Sequence, residues 1–203
     1  MIRLIAMGYY DSVTMNPDDW VMTSGWLKGA RRVPSPNCNQ RPGDMAPELI
    51  VLHNISLPPG EFGGGHIESL FTNTLDPDLH PYFASIAHLQ VSAHFLLRRN
   101  GEIVQFVATD QRAWHAGESS WCERSNCNDF SIGIELEGTD TQPYTEAQYR
   151  RLQQLIRALR ATYTSLEGGD IVGHSDIAPG RKTDPGASFD WHYLAELLDS
   201  EDV

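Results

Sequence analysis

The most regular pattern in the chain is helical. In YTEAQYRRLQQLIRALRATY, residues 144–163, Tyr149, Leu152, Leu155, Ile156, Leu159 and Tyr163 fall on one face, which predicts an amphipathic helix with that stripe in the core. Thr145 and Gln148 match a capping box at its start. A period of two replaces this pattern in SIGIELEG, residues 131–138. Here Ile132, Ile134 and Leu136 share one face of a strand, and Gly133, Glu135 and Glu137 share the other. ELIVLHNIS, residues 48–56, is apolar without alternation and reads as a strand buried on both faces. VSAHFLLRRNGEIVQFV, residues 91–107, holds two strand-like runs around Asn100-Gly101, a dipeptide that favours the turn of a hairpin. DIVGHS is a further short strand ending at His174, and SFDWHYLAELL a closing helix.

Between these elements lie punctuated stretches. RRVPSPNCNQRPGD reads as irregular chain because Pro34, Pro36 and Pro42 forbid a helix, and LPPGEFGGGH as a loop beside the strand that carries His53. Residues 1–24 lack sustained periodicity and read as an extension, with Met22 a candidate alternative start. Residues 25–198 then form one domain, followed by a tail at 199–203. The interleaving of strands and helices predicts a mixed α/β fold, a central mixed β-sheet flanked by helices.

Composition agrees with one globular domain: 203 residues, 40% hydrophobic and 21% charged. The net charge of -12 excludes nonspecific attraction to nucleic acid or an anionic membrane, each of which needs a basic face. No stretch is long and apolar enough to cross a bilayer. Three cysteines, Cys38, Cys122 and Cys127, are too few and too odd in number for a disulfide framework, although Cys122 and Cys127 lie close enough in sequence to pair. Asp11, Asp18 and Asp19 interrupt the start where an export signal is uncharged, so a cytoplasmic location is expected. Nothing in the pattern implies an oligomer.

The chemistry concentrates in GHSDIAPGRKTDPG, residues 173–186. His174 and Asp184 flank a loop constrained by Pro179 and Pro185 and freed to turn by Gly180 and Gly186. An imidazole and a carboxylate brought together this way can hold zinc, which in hydrolases keeps about three protein ligands and an open position. Asp176 competes with Asp184 as the carboxylate ligand. His53 and His94 compete for the third place, His53 favoured by its position at the end of an apolar strand. Amide hydrolysis at such a centre also needs a carboxylate to carry a proton, and Glu135 and Glu137 share the right strand face equally. A solvated strand face explains those two glutamates as well as catalysis does. Lys182 can place positive charge where an oxyanion forms, or simply decorate the surface beside Arg181. No G-x-S-x-G elbow marks a serine nucleophile.

Longer segments go further. LIVLHNISLPPGEFGGG, HPYFASIAHLQVSAHFLLRRNGEIVQFV, RAWHAG, CNDFSIGIELEGTDT and GHSDIAPGRKTDPG, in this order, resemble the cytosolic zinc amidases that release peptides from 1,6-anhydro-N-acetylmuramic acid in bacterial cell-wall recycling. They belong to a superfamily shared with phage amidases and peptidoglycan recognition proteins. The resemblance implies that superfamily's zinc amidase, peptidoglycan-recognition-like fold, one Zn2+ per chain held by His53, His174 and Asp184, catalysis by Glu135 and Lys182, and a muropeptide as substrate. His94 and Asp176 then take supporting roles, and Asn54, Tyr82, His94, Arg98 and Trp114 become candidate pocket residues. Ala93 stands where many superfamily members carry a tyrosine, and Asp184 where many carry a cysteine. Gln90, Asn126 and Gly180 replace two arginines and a glutamate found in some close members.

Overall fold

The computed structural model describes residues 15–200. Its centre is a six-stranded sheet of β1 (Arg31–Arg32), β2 (Leu49–Ile55), β3 (Phe95–Leu97), β4 (Ile103–Gln105), β5 (Ser131–Glu137) and β6 (Ile171–Gly173), in spatial order β6-β2-β5-β3-β4-β1. β6, β2, β5 and β3 run parallel, β4 returns antiparallel to β3, and β1 lies parallel to β4. The helices are α1 (His66–Phe71), α2 (Pro81–Ile86), α3 (Glu146–Thr162), α4 (His174–Ile177) and α5 (Trp191–Asp199).

Each face of the sheet has its own cover. On one, Ile50, Leu52, Ile132, Ile134 and Leu136 meet the α3 stripe of Leu152, Leu155, Ile156 and Leu159, with Leu194 and Leu197 of α5 behind. The capping box of α3 is complete: the Gln148 backbone N–H donates to Thr145 Oγ1 at 3.2 Å, and the Thr145 N–H to Gln148 Oε1 at 3.1 Å. On the other face two clusters sit apart. α1 and α2 pack Ile67, Leu70, Phe71 and Phe83 against Leu96 and Val104, while Ala116, Cys127, Phe130 and Ile177 cover Val51 and Val172. The functional cleft opens on this divided face.

The hairpin forms at Asn100-Gly101 with a wider turn than a two-residue loop. The Gly101 N–H donates to Arg98 O and the Arg98 N–H to Glu102 O, each at 2.9 Å, and Gly101 takes a positive φ of 85°. Other differences from the sequence reading have plain causes. α1 and α2 span six residues each, too short to declare a period. The stretch 31–44 is not wholly irregular: it contributes β1, and Cys38–Gln40 pairs antiparallel with Gln111–Ala113. Within the expected extension, Met15, Trp20 and Met22 pack against the main core, and Met22–Thr23 pairs with Trp26–Leu27. Residues 1–14 and 201–203, with the readings made of them, lie outside the described residues. All three cysteines are free thiols, and no described helix is long and apolar enough to cross a membrane.

Candidate metal centre and active site

Sheet register assembles the site. His53 on β2 is paired with Glu135 on β5, and Gly173, the last residue of β6, is paired with Leu52. His174 is one residue beyond, so His174, His53 and Glu135 form a row across the carboxyl ends of three neighbouring parallel strands, where such sheets place their sites. Leu52 and Ile134 face α3, and strand alternation therefore turns His53 and Glu135 to the divided face.

Asp184 reaches this row on the loop after α4. The Ser175 N–H donates to Asp184 O at 3.0 Å, and the next carbonyl, Pro185 O, accepts from Tyr144 Oη at 2.8 Å and Asn54 Nδ2 at 3.1 Å. Three potential donor atoms converge: His53 Nδ1 and His174 Nδ1 are 2.9 Å apart, and Asp184 Oδ2 lies 3.1 Å from the first and 3.0 Å from the second. His174 Nε2 is 3.0 Å from Ala116 O, which can only accept, so Nε2 carries the proton. With Nε2 so used, it is His174 Nδ1 that faces the carboxylate oxygen, and a cation between them would be bound by both. His53 is held neutral, its pKa lowered to about 4 by burial first and by His174 against the opposing pull of Asp184. Two imidazoles and one carboxylate suit a divalent metal ion, and no other such group of three occurs among the described residues.

Glu135 is 9% exposed, and its Oε2 is buried without a hydrogen-bond partner. Burial first, then the nearby Asp184 charge, raises its pKa well above the usual carboxylate range, and Lys182 opposes the shift. A carboxyl so placed, reluctant to stay charged, can both take up a proton and give it back. His53, Glu135, His174, Lys182 and Asp184 line one cleft of about 620 Å³.

The other expected residues are dispersed. Trp114 lines this cleft, its Nε1 donating to Asn39 Oδ1 at 2.7 Å. Asn54 lines it too, but its amide already binds Asp140 Oδ1 and Pro185 O. Tyr82 sits exposed on α2 and does not line the cleft. Arg98 is buried away from it, pairing with Glu137 at 2.9 Å and Glu68 at 2.6 Å. His94 is fully buried; its Nδ1 accepts from the Gly133 N–H at 3.0 Å, and its Nε2 donates to Gln111 O at 3.0 Å. Asp176 caps α4 by accepting from the Gly173 N–H at 2.7 Å. The alternating strand face is not solvated: Glu137 is 2% exposed and accepts from Arg98, from the Gly63 N–H and from the Arg99 N–H.

Sequence reasoning gave no role to His115, which lies beside His53 with His115 Nδ1 2.9 Å from His53 Nε2. A Cβ on Gly133 would overlap its ring, so the small residue between Ser131 and Glu135 was the available signal. Nor did it reach Asn128, whose Oδ1 accepts from the backbone N–H groups of both His115 and Ala116.

The N-acetylmuramoyl-L-alanine amidase family pattern matches residues 43–187. The 1,6-anhydro-N-acetylmuramyl-L-alanine amidase AmpD of Escherichia coli K12 is 60% identical over 181 residues, covering 89% of this chain and 98% of that protein. A crystal structure of a selenomethionine derivative of AmpD superposes with a TM-score of 0.86 at 60% identity, covering 88% of this chain and 99% of that one. A more distant structure is the amidase AmiD from Escherichia coli, complexed with anhydro-N-acetylmuramic acid-L-Ala-D-γ-Glu-L-Lys. It is 29% identical with a TM-score of 0.54, over 87% of this chain and 65% of that one.

Proposed function

The chain belongs to the N-acetylmuramoyl-L-alanine amidase family, and we propose that it is a zinc-dependent hydrolase of 1,6-anhydro-N-acetylmuramyl peptides. The bond cut is the amide between the lactyl group of the sugar and L-alanine, and the setting is cytoplasmic cell-wall recycling. Similarity to AmpD over nearly all of that protein's length supports the substrate class. The observation that carries the chemistry is the convergence of His53 Nδ1, His174 Nδ1 and Asp184 Oδ2 beside a buried, partnerless Glu135 oxygen.

His53, His174 and Asp184 would hold the zinc ion, which when bound polarises a carbonyl and makes water acidic enough to attack near neutral pH. Glu135 takes a proton from the attacking water on its unpartnered carboxylate and passes it to the departing alanine nitrogen. Its elevated pKa strengthens it as a base for the first transfer. The Lys182 ammonium, exposed at the cleft wall, offsets the negative charge that grows on the carbonyl oxygen. Trp114 supplies an apolar wall for the sugar or the stem peptide.

The test incubates purified protein with anhydro-muropeptides and with intact peptidoglycan, with and without chelator, and identifies products by mass. Release of peptides beginning at L-alanine, lost on chelation and regained with zinc, supports the reading. Muropeptide binding without peptide release would reduce the protein to a recognition module.

A further inference from the structure

One short relay runs from His53 away from the cleft. His53 Nε2 lies 2.9 Å from His115 Nδ1, His115 Nε2 lies 3.1 Å from Ser131 Oγ, and Ser131 Oγ donates to Cys127 O at 2.6 Å. The direction of every proton follows from the far end. A backbone carbonyl only accepts, so the Ser131 hydroxyl hydrogen belongs to Cys127 O, leaving Ser131 Oγ as the acceptor for His115. His115 then carries its proton on Nε2 and turns the Nδ1 lone pair to His53. His53 answers with Nε2–H, and its own Nδ1 lone pair faces His174 and Asp184.

We propose that Ser131 and His115 are positioning residues that fix the tautomer of His53, so that the ring meets a metal ion with its lone pair already turned inward. The inference rests on the reading of His53, His174 and Asp184 as metal ligands. Several features fit this task. Ser131 is fully buried on β5, and Gly133, two residues along the same face, leaves room for the His115 ring where any side chain would collide. Asn128 Oδ1 holds the His115 and Ala116 N–H groups at 3.0 and 2.8 Å. Ala116 O in turn receives the His174 Nε2 proton at 3.0 Å. One anchored dipeptide therefore orients both imidazoles, His53 through a side chain and His174 through a carbonyl. Outer partners of metal-bound histidines commonly change metal affinity by 10- to 100-fold.

The test uses the full chain stripped of metal and labelled with 15N in its histidine rings. Long-range proton–nitrogen spectra report the tautomer of His53, assigned by the signals lost in His53→Gln. Zinc affinity is read by competition with a chromophoric chelator. In the unmutated protein His53 should be the Nε2–H form. Ser131→Ala removes the acceptor for His115 without touching His53, and His115→Leu removes the acceptor for His53. Each should admit the Nδ1–H form of His53 and weaken zinc binding by about 10-fold or more; Ser131→Ala also leaves Cys127 O without its donor and lowers the metal-free melting temperature, so affinities are compared well below the melting temperature of each protein. His115→Asn, whose amide oxygen can occupy the place of Nδ1, should recover most of the affinity. An Nδ1–H His53 in the unmutated protein would overturn the relay, as would unmutated zinc affinity in both variants. Failure of the unmutated protein to bind zinc would sink the ligand assignment instead, and the tautomer spectra would still decide the role of His115.

Discussion

Glu135 and His53 are register partners on adjacent parallel strands, their side chains on the same face of the sheet. The proposed proton carrier is thereby fixed next to a proposed metal ligand by backbone pairing rather than by a loop. Glu135→Gln keeps the shape and removes the proton exchange, so turnover should fall by about 10²- to 10⁴-fold. Stability should hold or rise, because a buried carboxyl with an unpartnered oxygen is replaced by a neutral group. Steady-state kinetics at equal zinc content, with urea unfolding alongside, checks both halves; a mutant turning over within threefold of the parent would remove Glu135 from the mechanism.

Glu137, two residues along, should behave in the opposite way. It accepts from Arg98 at 2.9 Å and from the Gly63 N–H at 2.6 Å, tying the glycine-rich loop to the sheet. Glu137→Gln should cost about 1–3 kcal/mol of stability, as hydrogen bonds to a charged group weaken. Arg98→Met should cost about 3–5 kcal/mol because it strands the buried Glu137 carboxylate. In each, the folded enzyme should keep kcat within a few-fold. Denaturant midpoints and kcat on the same samples test the ordering.

These two glutamates also mark how far the sequence could be read. Alternation placed them on one strand face but carries no information about what covers that face, so by pattern alone Glu135 and Glu137 were equivalent and only family resemblance preferred Glu135; the clusters around α1 and around Ala116 show how differently the two are surrounded. The α3 stripe and its cap were legible because period and capping are local. His53, His174 and Asp184 were reachable through strand ends and a constrained loop; position at a strand end favoured His53 over His94, while the choice of Asp184 over Asp176 rested on family resemblance. His94 is sequestered by contacts 17 and 39 positions away in the chain, to Gln111 O and the Gly133 N–H, a separation no local pattern encodes. His115 owes its place to the absence of a side chain at Gly133.

The same burial gives a pH signature. His94 is pushed down to about 3, by burial first and by the Arg41 guanidinium next. Between that value and the ordinary 6.5 the unfolded chain takes up a proton that the folded ring refuses, so stability rises with pH across this window and is complete above it. The contribution is about 1.4 kcal/mol per pH unit within the window. His94→Asn can retain the acceptor for the Gly133 N–H but removes the titration. Metal-free urea melts between pH 4 and 6 should therefore show a shallower pH slope in the variant, smaller by about one proton.

Lys182 is exposed at the cleft wall and acts electrostatically on Glu135. If its charge is needed chiefly as the carbonyl oxygen becomes negative, Lys182→Ala should lower kcat by about 10²- to 10³-fold with little change in KM, the pattern of an interaction made in the transition state. A rise in KM with kcat intact would assign the lysine to ground-state binding instead.

Gly133 offers the most economical probe of the geometry around His53, because its substitution acts by volume alone. Its φ is not in the left-handed region, so alanine there strains no backbone, but the new Cβ would overlap the His115 ring. That ring has little freedom, with His53 and His94 at centroid distances of 5.0 and 5.8 Å and its own backbone N–H bound to Asn128. Displacement must break the contact to His53 or the one to Ser131. Gly133→Ala should therefore weaken zinc binding about as much as His115→Leu does. Gly101→Ala is the contrast: at a φ of 85° and far from the ligands, it should cost about 1 kcal/mol of stability and leave zinc affinity alone. Chelator competition on both variants separates the cases, and parental affinity in Gly133→Ala would mean that His53 keeps its aim without the neighbouring ring.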